Sequence, residues 1–125
     1  MDVAEFITGK GALRIADKAL AQLAQEACLS VEGVAAMDTG FGSSLSSMIG
    51  LEDAAGVHVS IRDNKASVSL YILVRHGIRV PELALHVQEK VKEVLTETGG
   101  VAVSNVDINI EGILFGSEAG TDGTN

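Results

Sequence analysis

Two neighbouring stretches of the chain alternate between apolar and polar residues. In residues 57–62 every second residue is apolar, and the same period of two returns in residues 66–75. Between them lies Asp63-Asn64-Lys65, and the short polar side chains of Asp and Asn suit a tight turn with positive φ angles. The pattern predicts an antiparallel β-hairpin. The second strand also carries Tyr71 and Leu73 on its other face, which predicts that it is central in the sheet, with the first strand nearer an edge.

A helix is predicted directly after this hairpin. Gly77 breaks the second strand, and Pro81 begins the helix because its φ is already close to the helical value. Apolar residues then recur at helical spacing, so one side of the helix is expected to cover the apolar face of the hairpin. These residues are Leu83, Val87, Val91, Val94 and Leu95.

The remaining segments complete an α+β pattern. A short strand is predicted around Leu13, an alanine-rich helix over 18–29 and another short strand over 34–37. Near the end of the chain, the apolar residues of the alternating pattern move from odd to even positions at Ser104-Asn105. This shift indicates a bulge inside one strand or a turn into a new strand. We predict an α+β fold in the order β-α-β-β-β-α-β, with a mainly antiparallel mixed sheet and two helices on one face.

Residues 1–115 are predicted to form a single domain, and residues 116–125 a disordered tail. Residues 38–56 change character, with four glycines and four serines. One interpretation is a flexible Gly/Ser-rich loop. The other is a partner-binding segment whose apolar residues form a short amphipathic helix. Those residues are Leu45, Met48, Ile49 and Leu51.

The net charge and the single cysteine argue against several classes of function and against some cellular locations. A formal net charge of −8 disfavours nucleic-acid binding and direct adhesion to anionic lipid. The lone Cys28 excludes an internal disulfide framework and suits a reducing compartment. Because we find no signal peptide and no long apolar run, we expect a cytoplasmic protein without direct membrane insertion.

No catalytic, cofactor-binding or metal-binding residues are predicted. The histidines, His58, His76 and His86, show no metal-ligand spacing. Cys28 has no identifiable activating base, and a buried apolar thiol is the better interpretation. We therefore expect a protein that is not an enzyme.

Four basic residues lie on or just beyond the hairpin of this acidic chain: Arg62, Lys65, Arg75 and Arg79. They have two interpretations. One is a solubilising outer face that protects an edge strand. The other is a docking patch for an acidic partner.

Two ordered sets of residues resemble a known family. The first is Gly11, Leu13, Ile15, Ala16, Asp17, Leu20, Leu23, Ala24 and Ala27, followed by Val31-Glu32-Gly33-Val34 and Met37. The second is Asp63-Asn64, Leu70-Tyr71-Ile72-Leu73-Val74, Gly77, Pro81-Glu82, Val87-Gln88, Val91 and Thr98-Gly99. Their joint order over residues 9–112 resembles the alkaline shock protein 23 family of bacterial envelope stress response proteins.

The resemblance implies a small cytoplasmic α+β protein of Gram-positive-type bacteria with no established enzymatic activity. Abundant members of that family are thought to assemble and to be held at the membrane by a small membrane-anchored relative. Other members are encoded near fatty-acid or lipid metabolism genes. The family offers no agreed catalytic residues to carry over. The chain departs from a typical member in residues 38–56 and in its short tail.

We therefore expect a non-enzymatic interaction or scaffold protein in envelope stress response or homeostasis. It would form a homo-oligomer and be recruited by a membrane-anchored protein partner to the inner face of the cell membrane. One alternative is a binding module for an acidic or phosphorylated metabolite linked to lipid metabolism, using residues 40–44 and the basic hairpin. A small RNA-binding domain is a further alternative that the net charge disfavours.

Overall fold

A computed structural model describes residues 3–38 and 55–116. Predictions for residues 39–54, including Leu45, Met48, Ile49 and Leu51, and for the tail after residue 116 lie outside the described residues. The elements are β1 (Val3–Thr8), β2 (Gly11–Ala16), α1 (Asp17–Leu29), β3 (Val34–Met37), β4 (Val57–Arg62), β5 (Lys65–Arg75), α2 (Val80–Glu97) and β6 (Ala102–Leu114). The predicted α+β fold is confirmed, with one strand, β1, added at the start.

Strand β5 is the centre of the larger sheet, as its sequence predicts. On one side, β4 pairs antiparallel with residues 65–70 and β3 pairs antiparallel with residues 72–74. On the other side, β6 runs parallel to β5 over its whole length. The sheet is therefore mixed.

The turn between β4 and β5 has the predicted form. Arg62 pairs directly with Lys65, so the loop consists of Asp63 and Asn64 alone. Their φ angles are 55° and 60°, and two positive φ angles are what a type I′ turn requires.

Both helices cover one face of the sheet. Every second residue of β5 is buried there: Ala66, Val68, Leu70, Ile72 and Val74. On α2, Leu83, Val87, Val91 and Leu95 face this layer, which confirms the predicted apolar stripe. On α1, Ala21, Ala24 and Cys28 are fully buried, and their small side chains allow the helix to approach closely.

The parity shift near residue 104 is a bulge inside one strand. Ala66 pairs with Val103 and Ser67 with Asn105, so Ser104 has no partner residue in the ladder. The Ser104 hydroxyl donates to the Ala66 carbonyl at 3.1 Å. A second shift of register lies at Glu111.

Strands β1 and β2 form a hairpin that is linked to the β4–β5 turn by one side chain. The Glu5 N–H donates to Asn64 Oδ1 at 3.0 Å, and Asn64 Nδ2 donates to the Glu5 carbonyl at 2.6 Å. The Asn64 amide thus pairs with β1 as a neighbouring strand would. Further along, Ile7 is 78% and Leu13 49% exposed. An isolated two-stranded hairpin is marginally stable in water, so this link is expected to matter.

We expect Asn64→Gly to loosen the β1–β2 hairpin while the β4–β5 turn is kept, because glycine accepts positive φ but cannot bond Glu5. Hydrogen exchange of the amides in residues 3–8 should accelerate about tenfold, for a loss of roughly 1–2 kcal/mol of local stability. Asp63→Gly is the matched control, since it changes the same turn without removing the link. Equal exchange in the two variants would contradict the role of Asn64.

Candidate interaction surface on the open face of the sheet

The face of the sheet opposite the helices is a continuous surface, which we call the open face. It contains the alternate residues of β5 that point away from the core: Lys65, Ser67, Ser69, Tyr71, Leu73 and Arg75. The pairing register places β4 residues Arg62, Ser60 and His58 on one side of them. It places β6 residues Asn105, Asp107 and Asn109 on the other side.

A basic hollow lies at the end of the open face next to the β4–β5 turn. Its volume is about 420 Å³, and it is lined by Ser60, Arg62, Asp63, Lys65, Ser67 and Ser104. Arg62 and Lys65 are exposed and lie directly opposite each other. Two cations are suited to an anion, while Asp63 limits the positive potential at the rim. The Ser67 and Ser104 hydroxyl groups already donate within the protein, so Ser60 is the lining serine that is left to donate to an anion.

The four basic residues predicted as a docking patch fall into two separate pairs. Lys65 and Arg75 lie on the same face of β5 but ten residues apart, which corresponds to about 33 Å along a strand. Arg79 lies beyond Arg75 and forms an exposed ion pair with Glu82 at 3.4 Å. Only Arg62 and Lys65 therefore contribute to the hollow.

Polar side chains cross the middle of the open face. Ser67 Oγ donates to Asn105 Oδ1 at 3.0 Å, and Asn105 Nδ2 donates to Asp107 Oδ2 at 3.3 Å. The register also places His58 beside Ser69 and Ser69 beside Asp107. These are the residue types of a catalytic triad, but the serine stands between the other two. His58 and Asp107 are two strand spacings apart, about 9.6 Å, so the histidine is not oriented by the carboxylate as a triad requires.

Between Lys65 and Arg75 the open face has an apolar stretch. Tyr71 is 39% exposed, and Leu73 beside it is half-buried. Phe115, just after β6, is 53% exposed and lies against the His76 ring with the ring centroids 4.6 Å apart. It does not belong to the open face, because the preceding Leu114 pairs with Arg75 of that face and successive strand residues alternate sides. Sequence reasoning did not select Phe115, because its contact with His76 depends on the parallel pairing of β5 and β6.

Cys28 lies in the core and away from this surface. Burial raises the pKa of its thiol to about 11 by desolvating the thiolate, so the nucleophilic form is disfavoured near neutral pH. The predicted buried thiol is confirmed. Within residues 3–38 and 55–116 no three metal-binding side chains form a cluster. Neither helix of the described chain has the length and apolar character that a membrane span needs.

Comparisons with known proteins identify relatives of this chain. The family model of the alkaline shock protein 23 family, described as having a cell envelope-related function, matches residues 5–115. The uncharacterized protein YqhY of Bacillus subtilis (strain 168) is 28% identical over 113 residues, which cover 90% of this chain and 84% of YqhY. The uncharacterized protein YloU of the same strain is 29% identical over 112 residues, which cover 87% of this chain and 93% of YloU. No solved structure matches the chain significantly.

Proposed function

This chain belongs to the alkaline shock protein 23 family, with its cell envelope-related function, and we propose that it is a non-enzymatic interaction protein of envelope homeostasis. In this proposal the protein self-associates and is recruited to the inner face of the membrane by a membrane-anchored protein partner. The open face is the recruitment surface.

The observation that carries this proposal is the chemistry of the open face. A sheet covered by helices on one side exposes the Arg62–Lys65 pair at one end of its other side and an exposed tyrosine, Tyr71, further along the same face. Aromatic residues and arginine are enriched at protein interfaces. In a chain of net charge −8, the Arg62–Lys65 pair is also a local site that attracts an acidic partner.

We expect the double substitution Arg62→Glu and Lys65→Glu to weaken recruitment about tenfold or more, because it reverses the charge where an acidic partner would dock. The loss should shrink as salt rises, since screening weakens the wild-type attraction. Arg75→Glu with Arg79→Glu is the control, with the same charge change at the far end. Co-purification with the membrane fraction of the native host, over a range of salt concentrations, measures the effect.

Two outcomes would overturn parts of this proposal. Equal losses in both double variants would mean that net charge, and not the hollow, governs recruitment. Strong flotation of the purified protein with anionic liposomes would mean that no protein partner is needed, since a chain of this charge is expected to be repelled.

A second candidate function is supported by the hollow itself. Its two cations and the Ser60 hydroxyl group would suit a small phosphorylated or carboxylated metabolite. A thermal shift with a panel of phosphorylated metabolites, which disappears in the variant with Arg62→Glu and Lys65→Glu, would favour this function. No shift at millimolar concentrations would exclude those compounds as ligands.

A further inference from the structure

Within residues 3–38 and 55–116, the outer side of β6 is an unpaired strand edge. Among the described strands, only β5 pairs with β6, and it does so on the inner side. The register shifts at Ser104 and Glu111 leave residues 105–110 as a regular stretch between two bulges. This stretch contains neither lysine nor proline, which commonly protect an exposed edge from pairing with another chain, and Asp107 is its one charged residue.

The hydrogen bonds of β5 show which backbone groups of β6 face outward. The Tyr71 N–H donates to the Gly56 carbonyl and its C=O accepts from Asp38, so Tyr71 faces the β3–β4 side. Its neighbour Leu70 therefore faces β6, where it pairs with Ile108. In a parallel ladder, Leu70 bonds the residues on either side of its partner, so the N–H and C=O of Ile108 point to the outer edge.

The same alternation directs the backbone groups of Val106 and Ile110 outward. The outward carbonyl of Val106 is already hydrogen-bonded, because Gln88 Nε2 of α2 donates to it at 2.9 Å. Ile108 and Ile110 receive no such hydrogen bond from the described side chains. Their outward N–H and C=O groups are therefore free to pair with another strand.

Apolar side chains follow this edge on its helix side. Ile108 and Ile110 are only half-buried, although their ladder partners on β5 are completely buried. Leu85 of α2 is 53% exposed and lies one turn before Gln88 on the same side of the helix. Burial of these three side chains would add hydrophobic stabilisation to strand pairing.

We propose that this edge binds the same edge of a second copy of the chain. The two β6 strands pair antiparallel about a two-fold axis at Ile108, and two four-stranded sheets become one eight-stranded sheet. An isologous contact of this kind uses the same surface on both subunits. The proposal rests on the self-association proposed above and names the surface that produces it.

The charged side chains of β6 favour pairing with a second copy of the chain, and they favour one register of that pairing. With the axis at Ile108, Asp107 lies opposite Asn109 of the other copy and Asn105 lies opposite Glu111, so no like charges meet. Val106 and Ile110 then pair on the helix side. The strand is thus complementary to itself.

Two neighbouring registers would also pair the outward N–H and C=O groups of the two β6 strands, but both bring like charges together. An axis at Asp107 places that carboxylate opposite its own copy. An axis at Asn109 places Asp107 opposite Glu111. Like charges directly opposite each other destabilise a strand pair, so the axis at Ile108 is preferred.

Cysteine cross-linking tests the register. In antiparallel pairing, directly opposite Cα atoms are about 4.5–5.5 Å apart, within the range for a disulfide. We expect Ile108→Cys to form a covalent dimer on mild oxidation, whereas Asp107→Cys and Asn109→Cys should not do so alone. An equimolar mixture of the last two variants should cross-link. The native Cys28 is buried and stays in all variants.

A charge exchange tests the same contact without cross-linking. Asn109→Asp places two pairs of carboxylates opposite each other, and we expect the dimer Kd from sedimentation to rise about tenfold. Adding Asp107→Asn should return it to within about threefold of wild type. Both variants lose the bond from Asn109 Nδ2 to the Leu70 carbonyl, so they are matched in that respect.

The outcomes separate this proposal from the proposed function. Self-association of the wild type with no cross-link at residue 108 and no effect of Asn109→Asp would overturn the β6 interface but leave self-association standing. A cross-link at residue 107 or 109 alone would overturn the register. A wild-type protein that stays monomeric up to about 100 μM, far above a micromolar Kd, would overturn self-association and this interface together.

Discussion

Val91→Asp is expected to remove most of the stability of the fold. Val91 is completely buried on α2 and faces the apolar layer of β5. A carboxylate there would lose its hydration and gain no partner, which costs about 4 kcal/mol or more. A domain of this size is stable by about 5–15 kcal/mol, so a loss of that size is a large fraction of the total. The midpoint of thermal unfolding should fall by about 15 °C.

Thr96→Asp is the matched control for this prediction. It lies on the same helix and adds the same charge, but its side chain is exposed. We expect a loss of at most about 1 kcal/mol, because the side chain is exposed and only the negative end of the helix dipole disfavours the new charge. If Val91→Asp melted as close to wild type as this control, α2 could not cover the sheet in the way described.

Gly56→Ala is the second substitution with a large expected effect. Gly56 begins the return of the chain into β4 with a φ of 72°, and its carbonyl accepts the Tyr71 N–H at 2.8 Å. A Cβ atom at this position would lie 2.8 Å from the Tyr71 carbonyl oxygen and 2.9 Å from Met37 Cβ. These are backbone and Cβ atoms in the middle of the sheet, so moving them would distort the strands and cost free energy. We expect a loss of about 3–4 kcal/mol in urea unfolding, from steric overlap in addition to backbone strain.

Gly77→Ala separates those two causes. Gly77 has a φ of 97°, but a Cβ atom there would meet nothing within 4 Å. Strain alone should cost about 1–2 kcal/mol. Equal losses at positions 56 and 77 would show that the space around Gly56 adapts and that φ alone decides the cost.

Local patterns were sufficient to predict most of the elements. The hairpin around Asp63-Asn64 followed from a period of two and a turn pair that accepts positive φ. The second helix followed from Pro81 and an apolar stripe. Strand β1 was missed because Phe6 and Ile7 are adjacent apolar residues, so residues 3–8 lack clean alternation.

Only part of the candidate site could be predicted from the sequence. Of the four basic residues that the sequence grouped together, Arg62 and Lys65 are neighbours because a two-residue turn joins them. Their separation from Arg75 follows from the predicted strand over residues 66–75, but the four basic residues were grouped by their nearness along the chain and not by their distance in the strand. Ser104 joins the hollow because β6 lies beside the start of β5, a pairing between residues almost forty positions apart.

The sequence by itself determined which residues face the core and which face solvent, because period and turn chemistry act between residues close along the chain. It also indicated an irregularity at Ser104-Asn105, but only the pairing with β5 decided that this is a bulge inside one strand and not a turn. Only the tertiary structure decided the parallel partner of β5, the link from Asn64 to β1 and the open edge of β6. These features depend on which distant segments become neighbours, and alternation specifies the face of a strand but not the strand beside it.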